Sequence, residues 1–153
     1  MNDKKKKAYI FGMIFALSNK LQIIGDKMDS SLTVKQWLFL VGVLKCESNS
    51  PTLSEIAAQI YSSRQNVKKT ASILERQGFV LMEKDINDAR MLRISLTDKC
   101  TAHLKQREKM ELSFLQELFD GFKSDELSML YEAIEKMEKN IIEMENIYEK
   151  KEK

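Results

Sequence analysis

With 153 residues, 43% of them apolar and 31% charged, the chain suits one domain of ordinary size and excludes a disordered tail. Its net charge of +2 is unevenly placed: residues 61–100 hold eight Lys and Arg against five acids, while residues 101–153 hold nine against thirteen. A local excess of that size permits a polyanionic partner without requiring one.

Near the N-terminus, Lys4-Lys5-Lys6-Lys7 and the apolar run Ala8–Leu17 imitate the start of a signal peptide. Phe11, Ile14, Phe15, Ser18 and Leu21 nevertheless continue a helical stripe past any cleavage point. No uninterrupted apolar run is long enough for a bilayer-spanning helix. The expectation is a mature amphipathic helix over about 5–28, in a cytoplasmic protein with no membrane partner.

A polar break at Asp29-Ser30-Ser31 comes next, and Thr33 can cap a second helix reaching about Lys45, with Trp37, Leu38, Val41 and Leu44 along one face. Pro51 and Thr52 open a third helix containing Leu53, Ile56, Ala57 and Ile60, which Tyr61-Ser62-Ser63 interrupts. A fourth runs from about Ser63 to Gln77, where Gly78 supplies a left-handed stop. Phe79–Lys84 and Met91–Leu96 alternate as strands do, with the polar turn Asp85-Ile86-Asn87-Asp88-Ala89 between them. Thr97 or Asp98 can then cap a long helix to about Phe122, and a last helix runs from near Ser124 to about Tyr148. In that last helix Leu127, Leu130, Ile134, Met137, Ile141, Met144 and Tyr148 keep a seven-residue repeat, which suits packing against a partner subunit.

Helix, three-residue turn, helix and hairpin is the order of a winged helix-turn-helix. The fold class expected is therefore mainly α with a small β-wing: one domain over 1–153, a DNA-binding region over 32–97, and dimerisation helices over 1–28 and 98–153. On the second helix of the pair, Val67, Ala71 and Leu74 form an inner stripe, which leaves Arg64, Gln65, Asn66, Lys68 and Lys69 outside. Arg, Lys, Asn and Gln are the side chains that read base edges. Ser62 and Ser63 can cap this helix, whose positive end can also take a phosphate. On the hairpin, Arg90 and Arg93 are the candidate DNA contacts; an extended Arg fits a narrow minor groove, and Asp88 can hold the Arg90 guanidinium in position.

Leu32-Thr33-Val34-Lys35-Gln36-Trp37, Leu53-Ser54-Glu55-Ile56-Ala57, Asp88-Ala89-Arg90 and Leu96-Thr97-Asp98-Lys99 together resemble the MarR family of bacterial transcriptional regulators. The resemblance spans nearly the whole chain, and the wing pattern is its most specific part. It implies a homodimer with interlocking first and last helices, reading double-stranded DNA at a roughly palindromic operator. It further implies repression more often than activation, relieved by a small-molecule effector or an oxidant. By the same resemblance Arg90 enters the minor groove, Asp88 positions it, and the Ser62–Lys69 segment reads the major groove. Cys100 departs from the family pattern, which has Gly at that point.

Other classes fare poorly. No Ser/His/Asp set, Cys/His pair, phosphate loop or zinc-protease motif is found, so no catalytic residue and no cofactor is expected, and the chain is not read as an enzyme. A lone His103 argues against a metal site. Cys46 and Cys100 read as idle thiols, and the first helix holds no cysteine for peroxide sensing. Phe11, Phe15, Trp37 and Phe39 could line an effector cleft but are read as core. The alternative function is a protein-interaction module that keeps the winged-helix fold without specific DNA binding; Lys68, Lys69 and the basic wing argue against it.

Overall fold

A computed structural model describes residues 1–151. Helix α1 (Asp3–Met28) starts where the Asn2 side chain accepts the Lys5 N–H at 3.0 Å. Helices α2 (Val34–Lys45) and α3 (Leu53–Gln59) both begin with reciprocal caps. The Thr33 hydroxyl accepts the Gln36 N–H at 3.2 Å while the Gln36 side chain accepts the Thr33 N–H at 2.9 Å. Thr52 and Glu55 repeat the exchange at 3.3 and 2.7 Å. Each pair satisfies two of the backbone donors that a helix start leaves unpaired, so both starts are sharply defined.

Helix α4 (Arg64–Arg76) ends at Gly78, whose φ of +77° is the left-handed stop expected there. The turn lets the Phe79 N–H reach the Leu74 carbonyl at 2.9 Å and sends the chain into β1 (Val80–Lys84). Strand β1 pairs antiparallel with β2 (Leu92–Leu96), with Val80 opposite Leu96 and Lys84 opposite Leu92. The Ile94 N–H also donates to the Pro51 carbonyl at 2.9 Å, and Thr52 bridges Arg93. The hairpin is thereby stitched to the segment before α3. Helices α5 (Asp98–Leu118) and α6 (Ser124–Lys151) complete the six helices of the described residues. The helix boundaries match the sequence expectation to within a few residues, except that α5 ends at Leu118, short of Phe122.

Two compact units divide the chain, residues 1–110 and residue 111 onward. The first holds the core: Phe39, Leu40, Ile56, Val67, Ala71, Leu74, Val80, Ile94 and Cys100 are buried where α2, α3, α4 and the hairpin meet. Close approach of α2 to α3 depends on Gly42, where an added Cβ would sit 2.7 Å from the Ile60 Cγ2. Gly42→Ala is expected to lower stability by about 1–3 kcal/mol through overpacking, checked by urea unfolding. Alanine's better helix propensity offsets only part of that.

In the second unit, Gly121 at φ +79° turns the chain after α5, with the Phe119 and Phe122 rings edge-on at 5.8 Å. No residue of α6 is buried, so the whole heptad stripe lies open or half-open. In the first unit α1 buries only Gly25. Phe11 and Phe15, expected in the core, lie exposed on α1 with their rings edge-on at 5.2 Å, whereas Phe39 is fully buried. Helix α1 is also long and apolar enough, by length and composition alone, to cross a membrane. Asn19 and Lys20 interrupt the apolar run within that helix.

Candidate nucleic-acid interface

The outward face of α4 follows from what its inner face must do. Val67, Ala71 and Leu74 are buried against α2 and α3, which turns Arg64, Gln65, Asn66, Lys68 and Lys69 into solvent. Ser63 caps the helix by accepting the Asn66 N–H at 3.2 Å, and Ser62 is half-buried in the turn before it. Further along, Thr70 and Ser72 donate their hydroxyls to the helix's own carbonyls at 3.1 and 3.0 Å. The polar surface on offer is therefore concentrated in the first two turns. Before the helix, Tyr61 adopts φ +52°, a left-handed conformation costly for a side-chain-bearing residue. That residue lies in the turn between α3 and α4.

On the wing, Asp85 accepts the Asn87 and Asp88 N–H groups at 2.8 and 2.9 Å and so folds the turn. Asp88 in turn grips Arg90 at two points: Oδ1 accepts from Nε at 3.0 Å and Oδ2 from Nη2 at 3.1 Å. The Arg90 side chain is nonetheless 91% exposed. A fork-on-fork pair fixes the guanidinium in plane without hiding it, leaving its remaining N–H groups outward. Hydrogen bonds from the Arg90 side chain, then from its backbone N–H, hold the Asp88 carboxyl below its ordinary range. Ile86, beside them at the tip, is 99% exposed.

Arg93 is placed differently. It pairs closely with Asp85, and its Nη1 donates to the Ser50 carbonyl at 2.9 Å. Half-buried, it fastens the base of the wing to the segment before α3. Sequence reasoning placed it with Arg90 as an outward cation, since nothing in the chain's order reveals that Ser50 lies beside it.

Sequence reasoning also missed a buried ionic cluster. Asp29 accepts the Ser31 and Leu32 N–H groups at 2.8 and 3.3 Å through Oδ1. Through Oδ2 it meets His103 Nε2 at 2.8 Å and Arg107 Nη1 at 2.6 Å. The Asp29 and Arg107 side chains are each only 4% exposed. His103 and Arg107 are four apart on α5, a spacing that signals a shared face, but their partner lies across the fold. The cluster pins the α1–α2 corner to α5.

Neither cysteine is primed as a thiolate. Burial pushes the Cys100 thiol up to about 11, and burial with the nearby Glu55 carboxylate raises Cys46.

No family model matches the chain. Solved structures do. A MarR transcriptional regulator from Methanosarcina mazei is 20% identical, with a TM-score of 0.78 over 90% of this chain and 99% of that one. A MarR protein from Peptoclostridium difficile is 22% identical, with a TM-score of 0.72 over 92% and 90%. BpsR of Bordetella bronchiseptica, a protein whose DNA binding is regulated by 6-hydroxynicotinic acid, is 17% identical, with a TM-score of 0.75 over 85% and 98%. With its capped helix pair, its Arg-tipped hairpin and its long terminal helices, the chain has the fold of the MarR-type winged-helix transcriptional regulators.

Proposed function

We propose that this protein is a MarR-type transcriptional regulator, a cytoplasmic non-enzyme that binds operator DNA as a homodimer and is released by a small-molecule effector. One observation carries the reading: a guanidinium clamped by Asp88 yet 91% exposed at the wing tip, on the same unit as an α4 face of Arg64, Gln65, Asn66, Lys68 and Lys69. In this reading α4 enters the major groove, with Ser62 and Ser63 beside the phosphates, and Arg90 enters the adjacent minor groove. Arg93 acts from behind, by seating the wing. The operator is a palindrome, because two identical heads read it, and occupancy represses.

The dimer is formed by residues 1–28 and 98–153, flanking a reading region over 32–97. The open stripes of α1 and α6 support it: Phe11, Phe15, Leu127, Leu130, Ile134 and Ile141 are large apolar side chains exposed in a single chain. Ile134→Glu with Ile141→Glu is expected to convert a dimer to monomer, read by sedimentation equilibrium. A wild-type chain that sediments as a monomer would remove the dimer from the account.

The functional test is selection of bound fragments from genomic DNA, followed by anisotropy titrations at several salt concentrations. Specific binding is expected, with log K falling linearly against log salt as phosphate contacts release counterions. Equal affinity for every sequence would leave only a protein-interaction role.

A further inference from the structure

We propose that Ile86 is an apolar wedge: it enters the minor groove beside Arg90 and partly unstacks one base step, so that the protein selects operators with a flexible pyrimidine–purine step under the wing. The inference rests on the regulator reading above and deepens it by naming a second residue through which the wing reads. Strand register places the two residues together. Pairing of β1 with β2 ends with Lys84 opposite Leu92, and the Asp85 N–H extends it by donating to the Met91 carbonyl at 2.9 Å. The next positions in that register are Ile86 and Arg90. Ile86 is 99% exposed and the Arg90 side chain 91%.

The bonds that make the turn do not use the Ile86 side chain. The Asp85 carboxylate accepts the Asn87 and Asp88 N–H groups, and the Met91 N–H donates to the Asp88 carbonyl at 2.9 Å. Turn positions of this kind ordinarily hold polar residues or glycine. At 99% exposure the isoleucine gains no burial on folding, so its apolar surface is left for a partner. The support is firm as well. Asp85 pairs closely with Arg93, whose Nη1 donates to the Ser50 carbonyl at 2.9 Å, so the turn is braced against the segment before α3. A β-branched side chain has few rotamers to lose, and a braced tip enters a base stack at small ordering cost. Arg90 supplies the other half: its cation is drawn to the negative potential of the minor groove and carries Ile86 to the base edges. Arginine alone favours a stiff, narrow A-tract. A wedge needs a step that opens cheaply, and TA and CA steps are the ones that kink and unstack with least resistance.

The test uses the full chain and a fragment selected from genomic DNA, with 2-aminopurine replacing one adenine at a time, because its fluorescence rises when the base leaves the stack. Wild-type protein is expected to raise the signal saturably at an adenine of a pyrimidine–purine step. Ile86→Leu should keep that rise. Ile86→Ala should abolish it and raise Kd roughly ten-fold, the loss expected for most of one buried aliphatic side chain. At 99% exposure neither substitution threatens the fold. Bound wild-type protein with no rise at any adenine overturns the wedge and leaves the regulator reading standing, as does an Ile86→Ala protein with the wild-type rise or the wild-type Kd. Equal affinity for every sequence fails the regulator reading instead. The wedge is then decided on a duplex of alternating A·T pairs carrying the same probe, where a rise lost in Ile86→Ala upholds it and an absent rise overturns it. No binding to any duplex overturns both.

Discussion

Arg90→Ala is expected to lower affinity for the proposed operator DNA by about 1–3 kcal/mol, a five- to 150-fold rise in Kd, while the melting temperature of the free protein should stay within a degree or two. The guanidinium pairs with its neighbour Asp88 and is 91% exposed, so its removal should take away the proposed groove contact and little else. Asp88→Asn should fall between Arg90→Ala and the wild-type protein. The Asn side chain keeps one acceptor for Arg90 but loses the second charged one, so the wing tip keeps its cation and loses its fixed direction. The two effects should be non-additive in a double-mutant cycle, since Asp88 acts through Arg90. An Arg90→Ala protein with wild-type affinity would take the wing out of the interface.

The largest loss of stability is expected from Asp29→Ala, about 3–5 kcal/mol, because it breaks the buried pair with the Arg107 guanidinium and uncaps the Ser31 and Leu32 N–H groups. Calorimetry should show a drop in Tm of roughly 6–20 °C for a chain of this length. Replacing Asp29 and Arg107 together by apolar residues should recover part of it, since both halves of the buried pair are then removed, though the two N–H groups stay uncapped.

A pH dependence accompanies this cluster. Desolvation alone would raise the Asp29 carboxyl; the hydrogen bond from His103, the Ser31 N–H and the charges of His103 and Arg107 outweigh it, and the group lies below its ordinary value. The unfolded chain therefore binds that proton more readily than the folded one. The cluster's contribution is complete above the ordinary carboxylate pKa of about 3.9 and is lost as pH falls through the lower folded value. Asp29→Ala should flatten the acid limb of the stability profile; an unchanged acid limb would mean that other carboxylates, Asp85 and Glu55 among them, carry it.

Much of the candidate interface was legible in residue order because each piece is a local device. Thr33 with Gln36, and Thr52 with Glu55, announce helix starts three residues apart, and Gly78 announces a stop. The spacing of Val67, Ala71 and Leu74 chose the inner face of α4 and thereby its outer one. Asp88 and Arg90, two residues apart, can meet without any help from the rest of the fold. What resisted reading is nonlocal. Phe11 and Phe15 look like core by composition, yet a lone chain leaves them in solvent.

Local order thus determined the element sequence, the direction in which α4 faces and the clasp at the wing tip, because interactions within about four residues decide those before any tertiary contact forms. Only the folded molecule decided that Arg93 serves the wing's base through Ser50, 43 residues away, and that Asp29 meets Arg107 across 78. Those partners are chosen by chain packing, and a buried charge gives no sign in the sequence of which opposite charge will neutralise it.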